Sequence, residues 1–443
     1  MSFKSTMAFG LALGVAGTGV AFASYARIES MGKNSTYVMD DVSIFDNPAN
    51  INIYPNFLIG EFGPYQNNNL GTGNNQDPLQ PWFGGIFSLA LGQEDSRDPR
   101  LSIAGAFNRR DEKLFSYLPD SVRVPDSNNP NIMTTVPVPN PVTNFDGFLG
   151  GTLPNGNAGG LHIYIAQQQG GVENATGFTI NKDAFASIFK VDAGINIQLN
   201  TDIDAEISAG IARIQYGPEQ RDLIDGDLMS VMGSARLFST WSLINGELVP
   251  AASWSYVKAP GIDDKQLIGG IGVNVALDRG FFWLGTDFMY GLTRMDNFQI
   301  NASTGDKVFV DDGSTGSASW DVKESWGGRI SFGIERNIWF DWLVIRVGGM
   351  KVINYVDCTH NDGNAIPATL QNKYETLCPE DGNYFYSNPS GDGSINDNIG
   401  FGFGINVEEK LKVDFTMAED VIFRNPFQGE GRLMSRISAT YSF

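Results

Sequence analysis

Hydrophobic and polar residues alternate along most of the chain. Between residues 187 and 199 every second side chain is apolar, while Lys190, Asp192 and Gln198 occupy the opposite parity. A period of two is typical of a β-strand with one apolar face. Helical periodicity of comparable clarity is absent. The alternation predicts strands at 51–62, 82–92, 101–107, 160–168, 187–199, 203–216, 228–243, 248–257, 267–277, 281–293, 325–335, 342–352, 398–407, 411–419 and 432–443.

The connections between these strands alternate between tight and long. Tight turns are expected at 245–246, 278–280, 336–337 and 408–409, and long polar loops at 217–227, 294–320, 353–397 and 420–431. A membrane β-barrel has turns at one end and loops at the other. A soluble β-sandwich with uneven loops is the alternative. The tryptophans at strand ends favour the membrane barrel, because interfacial girdles are aromatic: Trp283, Trp326, Trp339 and Trp342.

The predicted fold class is therefore all-β, a transmembrane antiparallel β-barrel. The alternation yields fifteen candidate strands, whereas single-chain bacterial barrels have even strand numbers. We predict 14 or 16 strands, with one strand of the list false or one missing. The weak stretch is 51–160, where residues 119–157 form a large loop or where a short strand such as 114–118 is hidden.

The last residues predict a strand that ends on an aromatic side chain. Ile437, Ala439, Tyr441 and Phe443 alternate with polar residues, and the sequence stops at Phe443. This ending resembles the terminal strand of bacterial outer-membrane barrels, whose C-terminal aromatic residue is recognised by the barrel-insertion machinery. The resemblance assigns Tyr441 and Phe443 to a membrane-insertion signal and implies that machinery as a partner.

The first residues have the pattern of an export signal. Lys4 precedes a small, apolar stretch at 7–22, and Ala21 and Ala23 fit an A-x-A cleavage site. We predict a signal peptide at 1–23, with cleavage after Ala23, a hatch or plug segment at 24–50 and a barrel at 51–443. A short membrane anchor is the alternative. No Cys follows the apolar stretch, so a lipoprotein anchor on the first mature residue is not expected.

Composition excludes several other classes of protein. The chain has 443 residues with 30 Lys plus Arg against 50 Asp plus Glu, a net charge of −20. A nucleic-acid-binding protein needs a positively charged surface, so this class is excluded. The mean hydropathy of −0.15 excludes a helical membrane bundle. It is compatible with a membrane β-barrel, because the hydropathies of lipid-facing and lumen-facing residues average to a nearly neutral value. With 2 Cys and 2 His, neither a cysteine-rich scaffold nor several metal sites are available. No metal and no cofactor are predicted.

If the apolar residues of each strand face lipid, the residues that alternate with them, here called the inward parity, line the lumen. Six basic and six acidic side chains fall on it, so the wall is nearly neutral and a strongly ion-selective pore is not indicated. The excess negative charge then lies in loops and the N-terminal segment, where it aids solubility or holds divalent cations beside lipopolysaccharide. The predicted lumen-lining residues are Lys190, Asp192, Asp204, Glu206, Asp287, Arg329, Glu335, Arg346, Lys412, Asp414, Arg432 and Arg436.

Glycines are frequent on the same inward parity. Strand glycines mark positions where another backbone or a ligand comes close, so they make room for a plug formed by residues 24–50. Alternatively, they only allow the barrel to coil. The inward glycines are Gly270, Gly272, Gly327, Gly333, Gly400, Gly402 and Gly404.

One short motif precedes the first predicted strand. Asp40 and Asp41 are followed by Asn47, Pro48 and Ala49. This arrangement resembles the junction between hatch and first strand in the FadL-type family of hydrophobic-compound transporters, and PorV-like barrels of type IX secretion share it. The run from Arg27 to Tyr37 departs from the Ala/Gly-rich run usual in that family.

The resemblance implies a 14-stranded barrel with an N-terminal hatch that takes apolar molecules from outside the cell. It implies outer-membrane lipid, lipopolysaccharide and a hydrophobic small molecule as partners, and the bacterial outer membrane as the location. A general diffusion porin and a secretion-associated or structural surface barrel stay open as alternatives.

The reactive side chains do not indicate an enzyme. His162 fits a barrel wall or rim, and His360 lies in a predicted loop without a credible ligand or catalytic set. Cys358 and Cys378 lie 20 residues apart in the same predicted loop. In an exported, oxidising setting these two cysteines predict a disulfide.

Overall fold

The computed structural model is a closed antiparallel β-barrel of 16 strands. Each strand pairs with the next, and the last strand pairs with the first from Phe57 opposite Ser442 to Phe62 opposite Ile437. The structure describes residues 24–443 apart from 55, 64–80, 91–99, 116, 119–120, 126–132, 140, 142, 154, 175–176, 218–226, 260–261, 297, 302–306, 311–319, 362–373, 376–381, 387–397, 408–409 and 418–433.

The barrel strands are β1 Phe57–Phe62, β2 Trp82–Ala90, β3 Arg100–Phe107, β4 Thr143–Thr152, β5 Ala158–Asn174, β6 Gly177–Gln198, β7 Ile203–Gly217, β8 Asp227–Trp241, β9 Gly246–Ala259, β10 Ile262–Leu277, β11 Gly280–Asp296, β12 Trp320–Asn337, β13 Leu343–Asn361, β14 Asn398–Val407, β15 Leu411–Met417 and β16 Met434–Ser442. Strands β5 to β13 are long, from 14 to 22 residues. The remaining strands have at most 10 residues, so one side of the wall is lower.

Shorter elements accompany the barrel strands. The α-helices are α1 Tyr25–Ser30 and α2 Glu112–Phe115, and 3-10 helices span Asp41–Phe45, Pro48–Asn52 and Ser242–Ile244. Strand Gly382–Tyr386 pairs with the outer part of β13. A separate sheet contains Ser121–Pro125, Met133–Pro137, Phe298–Asn301, Lys307–Val310 and Tyr374–Glu375. Within the described residues, no helix is long and apolar enough to cross a membrane.

The strand that the sequence analysis missed is β4. Phe145 and Leu149 face outward, but Phe148 on the opposite parity is buried inside the barrel. Apolar residues on both faces, together with Gly147, Gly150 and Gly151, hide the alternation. The suggested short strand at 114–118 is wrong, because α2 occupies this stretch as far as Phe115.

Several other boundaries also differ from the predictions: β5, β6, β10 and β12 extend beyond their predicted ranges, and the turn predicted at 336–337 lies within β12. Two further differences have a clear physical reason. The first strand begins at Phe57 rather than 51, because Asn47 caps a 3-10 helix that has Pro48 in its first turn. The predicted start of the loop at residue 353 is wrong, because β13 continues to Asn361 and contains both Cys358 and His360. Polar side chains on both faces of this outer part conceal the period of two.

Side-chain exposure separates the two faces of the wall. Large apolar side chains on the outer face are about half exposed, including Phe189 at 48% and Ile330 at 57%. The intervening residues, such as Lys190, are buried inside. Trp326, Trp339 and Trp342 are exposed, but Trp283 is fully buried and faces inward, so its assignment to an outer girdle is wrong.

Candidate functional site

Residues 24–54, here named the lumenal segment, lie inside the barrel. Nearly all of its side chains are buried or half-buried. Helix α1 packs against β13 to β16, where the Thr416 hydroxyl donates to the Ala26 carbonyl over 2.5 Å. The second 3-10 helix, Pro48–Asn52, packs against β3 to β6 on the other side. The segment therefore crosses the lumen from one wall to the other.

A buried ionic chain holds the start of the lumenal segment. Arg27 donates to both carboxylate oxygens of Glu335 on β12, over 2.6 and 3.2 Å, and to Asp40 over 3.2 Å. Arg346 on β13 lies 2.5 Å from Glu335 and 2.8 Å from Asp414 on β15. Arg27 is 3% exposed. Charges this deep are stable only when paired, so removing one member leaves its partner uncompensated.

A second ionic group surrounds Arg436 on β16. Its guanidinium donates to Glu29 of the lumenal segment over 2.9 Å and pairs with Glu61 on β1. The same Glu61 accepts the backbone N–H of Tyr25 over 3.1 Å. One basic side chain therefore ties α1 to the junction of the first and last strands.

Inward glycines accommodate the lumenal segment at several positions. A Cβ on Gly272 or Gly285 would collide with the ring of Tyr37, and one on Gly348 with the backbone of Met31. Gly270, Gly333, Gly400 and Gly402 also face the segment, whereas Gly327 and Gly404 face wall side chains. The Tyr37 hydroxyl donates to Asp287, and Asn274 donates to the Tyr37 carbonyl over 2.7 Å.

The Asn-Pro-Ala turn lies against β5 and β6. The Asn47 side chain accepts the Ala49 N–H over 3.1 Å and donates to Asn196 over 2.7 Å, while Asn196 donates to Asn50 over 2.8 Å. A Cβ on Gly160 would meet the Pro48 backbone, and one on Gly194 the Asn47 side chain. Glycine is therefore needed at both wall positions for this close approach.

Asp40 and Asp41 lie side by side in the lumenal segment. Asp40 pairs with Arg27, but neither carboxylate oxygen of the buried Asp41 has a hydrogen-bond partner among the described residues. Burial first, and then the Asp40 carboxylate, raise the pKa of Asp41 well above its usual range. Asp41 lines a crevice otherwise walled by apolar residues, with a volume of about 10 Å³, space for roughly one water molecule.

On one side of the outer lumen, the inward faces of β5 to β9 form an apolar cluster that Leu114 and Phe115 cover. Leu114 and Phe115, which precede β4, are buried against the inward faces of β5 to β9. The inward residues of this cluster are Tyr164, Ala166, Ala186, Ile188, Ala212, Ile214, Tyr216, Leu228 and Val257. A water-filled channel is lined by polar residues, so this side of the lumen differs from the wall of a diffusion pore.

A charged group lies between the apolar cluster of β5 to β9 and the lumenal segment. His162 lies between two carboxylates, with Nδ1 2.7 Å from Asp192 and Nε2 2.9 Å from Asp146. Arg109 binds Asp146 with two hydrogen bonds of 2.6 and 3.0 Å. Its guanidinium lies 3.9 Å from the ring centroid of Phe45, a residue of the lumenal segment. Among the described residues, no group of three or more His, Cys, Asp and Glu side chains is arranged to hold a metal ion.

Most predicted lumen-lining residues have low exposure, and most of them form ion pairs inside the barrel. Lys190 pairs with Asp192 over 3.1 Å, and Lys412 lies 3.8 Å from Asp414. Glu206 pairs with Arg236 over 2.5 Å, and Arg329 with Asp287 over 2.7 Å. Asp204 is half-buried. Arg432 lies outside the described residues.

Sequence reasoning missed the partners of these residues. Arg27, Tyr37, Glu61, Arg109, Asp146 and Arg236 carry contacts that no local motif indicates. His162 is fully buried in the lumen wall and faces its interior. Cys378 lies outside the described residues, so the disulfide with Cys358 stays a prediction. Tyr441 and Phe443 are exposed on the outer face at the end of the last strand.

No family model and no curated protein matches the sequence. The fold is similar to CdiB from Escherichia coli (9% identity, TM-score 0.40, 88% of this chain and 63% of that chain). It is also similar to CdiB from Acinetobacter baumannii (10% identity, TM-score 0.41, 88% of this chain and 60% of that chain). A third similar structure is the deltaS2 mutant of the TodX monoaromatic hydrocarbon channel (10% identity, TM-score 0.34, 94% and 98% covered).

The chain thus spans less than two thirds of the length of either CdiB chain. The structural neighbours are outer-membrane β-barrels that include channels and transporters. Identities of at most 11% and TM-scores of 0.41 or lower limit the similarity to the barrel fold and carry no argument about a substrate.

Proposed function

We propose that this protein is an outer-membrane β-barrel whose lumen is closed by its own N-terminal segment and which admits small hydrophobic molecules. The observation that carries the proposal is the combination of a lumenal segment bound to the wall on both sides with an apolar inner wall above it. An open diffusion porin needs neither feature.

The outer surface supports the proposed location. Half-exposed apolar side chains on the outer face of the strands suit a lipid bilayer, which barrels cross with every backbone group paired. Removal of residues 1–23 after export, recognition of Tyr441 and Phe443 by the insertion machinery, and lipopolysaccharide around the outer loops belong to the same proposal.

The proposed substrate class follows from the apolar cluster that β5 to β9 form on one side of the outer lumen. Transfer of an apolar molecule from water to an apolar wall is favourable by about 25 cal/mol per Å² of buried apolar surface. A polar solute gains nothing there. Among the described residues, the charges deeper in the barrel are paired and form no strongly charged ring that would select ions, which separates this proposal from an ion-selective channel.

Planar-bilayer recording tests the closed state. The full-length barrel is expected to be nearly silent, and deletion of residues 24–46 to produce steady large conductance. A variant in which residues 24–46 are replaced by a Gly/Ser sequence of equal length serves as the control, because it keeps the chain length but loses the buried contacts. It should conduct like the deletion. An intact barrel that conducts as well as the deletion would refute the closure.

Uptake separates a transporter from a scaffold. Cells that lack the gene should take up a radiolabelled alkylbenzene or long-chain fatty acid more slowly than cells that carry it, whereas uptake of a small sugar stays the same. Equal uptake of the apolar compounds in both strains would refute the transport function and leave a structural or secretion-associated role.

A further inference from the structure

The outer face of β2 and β3, here named the short face, is apolar over a small height. On β2 the outward apolar residues run from Phe83 to Leu89, and on β3 they run from Leu101 to Phe107. Each run covers six residue steps, about 20 Å along the strand at a rise of about 3.3 Å per residue. At the strand tilt of about 40° that is typical of membrane barrels, the run covers about 15 Å across the bilayer.

Neither end of the short face is continued by further apolar wall. After Phe107, Asn108 has a φ of +66° and the chain turns into the barrel, where Arg109 is 5% exposed. The neighbouring β1 ends before Gly63, which has a φ of +102°. At the opposite end, the sequence between β2 and β3 is polar from 93 to 98. The apolar face therefore ends where the strands end.

The opposite side of the barrel has the height of an ordinary bilayer. On β10 the outward apolar residues run from Leu267 to Leu277, ten residue steps, which is about 33 Å along the strand and about 25 Å across the bilayer. The next outward residue beyond Leu267 is Lys265, whose side chain is 52% exposed. Outer-membrane barrels have an apolar band of about 25 Å. The two sides of this barrel therefore differ by about 10 Å.

A bilayer of full thickness does not fit the short face. Hydrocarbon offers no partner to backbone N–H and C=O groups, so irregular backbone is not tolerated against lipid. If about 25 Å of hydrocarbon lay against β2 and β3, about 10 Å of it would contact the turns at Gly63 and Asn108 instead of paired strand. A bilayer beside a wall that is too short becomes thinner, at a modest cost for each Å. Thinning therefore removes an unfavourable contact that a flat bilayer would impose.

The side chains of the short face suit fluid acyl chains. All described outward positions of β2 and β3 are Phe, Leu, Ile or Gly, so they offer no side-chain hydrogen bond or ion pair to a protein partner. The rings of Phe83 and Phe145 lie on either side of Phe107, with centroids 5.3 and 5.1 Å away. A Cβ on Gly105 or Gly147 would meet the ring of Phe145 at 3.7 or 3.1 Å, so this ring covers both glycines. Membrane proteins associate through uncovered small residues and polar contacts, whereas acyl chains need neither.

We propose that the barrel thins the bilayer beside the short face, so that the headgroups of the two leaflets lie about 10 Å closer together there than beside β10. The ligand of this surface is lipid with short or disordered acyl chains. The proposal rests on the proposed membrane location, but it uses neither closure of the lumen nor transport. Its consequence is a strip of weakened bilayer along β2 and β3, where lipids with shorter chains collect because they need the least distortion.

Arginine at matched heights on the two sides tests the thinning. Phe107 and Ile271 each lie six residue steps from the last outward apolar residue at the other end of the run, Leu101 and Leu277, and they are 47% and 42% exposed. The folding equilibrium in dimyristoylphosphatidylcholine vesicles is compared between the Arg and the Ala variant at each position, so that loss of the native side chain cancels. An outward Arg is strongly unfavourable at the bilayer midplane and nearly neutral beside the headgroups.

The two positions should therefore differ. Ile271→Arg should fold about thirtyfold or more less favourably than Ile271→Ala, whereas Phe107→Arg and Phe107→Ala should agree within about fivefold. A ratio at Phe107 as large as the ratio at Ile271 would overturn the thinning. Failure of the unsubstituted barrel to insert into the vesicles would overturn the proposed location as well, so the two failures are distinguishable.

Spin labels measure the depth directly and do not depend on the folding equilibrium. Labelled Phe107→Cys and Ile271→Cys barrels, in a Cys358→Ser, Cys378→Ser background, are compared in the same vesicles for relaxation by oxygen, which concentrates in hydrocarbon, and by a water-soluble nickel complex. The label at residue 107 should be relaxed mainly by nickel and the label at residue 271 mainly by oxygen. Equal depths would overturn the proposal. A label at residue 107 that neither reagent reaches would also overturn it, because another protein would then cover the short face.

Discussion

Substitution of Arg27 tests the ionic chain that holds the lumenal segment. Arg27→Met keeps most of the length and apolar contact of the side chain but removes its charge. Glu335 retains Arg346 at 2.5 Å. Among the described residues Asp40 forms its ion pair with Arg27, and its other carboxylate oxygen has no hydrogen-bond partner. The substitution therefore leaves one uncompensated carboxylate at a fully buried position.

The expected loss follows from that orphaned charge. Breaking a buried ion pair by removing one partner costs about 3–5 kcal/mol. Because each 1.4 kcal/mol changes an equilibrium about tenfold, release of the lumenal segment should become about a hundred to a few thousand times more frequent. Lys33→Ala is the matched control. Its pair with Glu29 has an N–O distance of 3.8 Å and Lys33 is 26% exposed, so the expected change is below about 1 kcal/mol.

Amide exchange of residues 25–45 and the open probability in bilayer recordings both report this release. Arg27→Met should raise both, and the double variant Arg27→Met, Asp40→Asn should reverse part of the increase because the orphaned group becomes neutral. If Arg27→Met behaves like Lys33→Ala in both assays, the ionic chain does not hold the segment and the reasoning is refuted.

Other changes probe the segment's fit, protonation and processing. Gly272→Ala forces a methyl group into the Tyr37 ring and should lower the free energy of unfolding by about 1–3 kcal/mol in thermal melts. Gly269→Ala on the same strand has open space and should be neutral or slightly stabilising. The raised pKa of Asp41 means that the folded protein keeps a proton that the unfolded chain has lost, so stability should fall as pH rises above the ordinary carboxyl pKa of 3.8. Asp41→Asn should flatten this fall, and an equal slope in the variant would contradict the assignment. N-terminal sequencing should begin at Ser24, and because Ser24 is fully buried, its amine should react with an acylating reagent only after unfolding. Rapid labelling of the native protein would show that the amine is accessible.

The barrel was largely predictable because a lipid-facing wall imposes strict alternation. From β6 to β12, apolar residues occupy the outer parity almost without interruption, and the predicted and observed strands overlap. The prediction failed where that constraint weakens. Phe148 on β4 faces inward to pack on Phe45, and the outer part of β13 has polar residues on both faces.

The charged residues of the candidate site were predictable by parity, but their partners were not. The alternation of apolar and polar residues within their own strands assigns Glu335 and Asp414 to the barrel interior. The partner Arg27 is 308 positions from Glu335 in sequence, and no local pattern expresses a contact at such separation. The departure of residues 27–37 from an Ala/Gly-rich run was the available signal, since a basic residue inside a closed lumen requires an acidic partner.

Trapping the lumenal segment against the wall tests its closure of the barrel most directly. A Cβ on Gly333 lies 2.9 Å from the Cβ of Met31, within about 1 Å of the separation that a disulfide needs. The same Cβ also meets the indole of the buried Trp283, so both variants of the pair carry Trp283→Phe, and Met31→Cys frees room for the remaining adjustment. The control pair is Ser88→Cys, Ser102→Cys, which joins two wall strands whose hydroxyls are 2.9 Å apart.

The deciding measurement is the bilayer conductance of Met31→Cys, Gly333→Cys before and after reduction, in urea too dilute to unfold the barrel. We expect the cross-link to form, the oxidised protein to remain silent, and openings to appear after reduction, whereas the control pair opens in both states. Absence of the cross-link, or equal conductance of the oxidised and reduced proteins, would contradict a barrel closed by its own N-terminal segment.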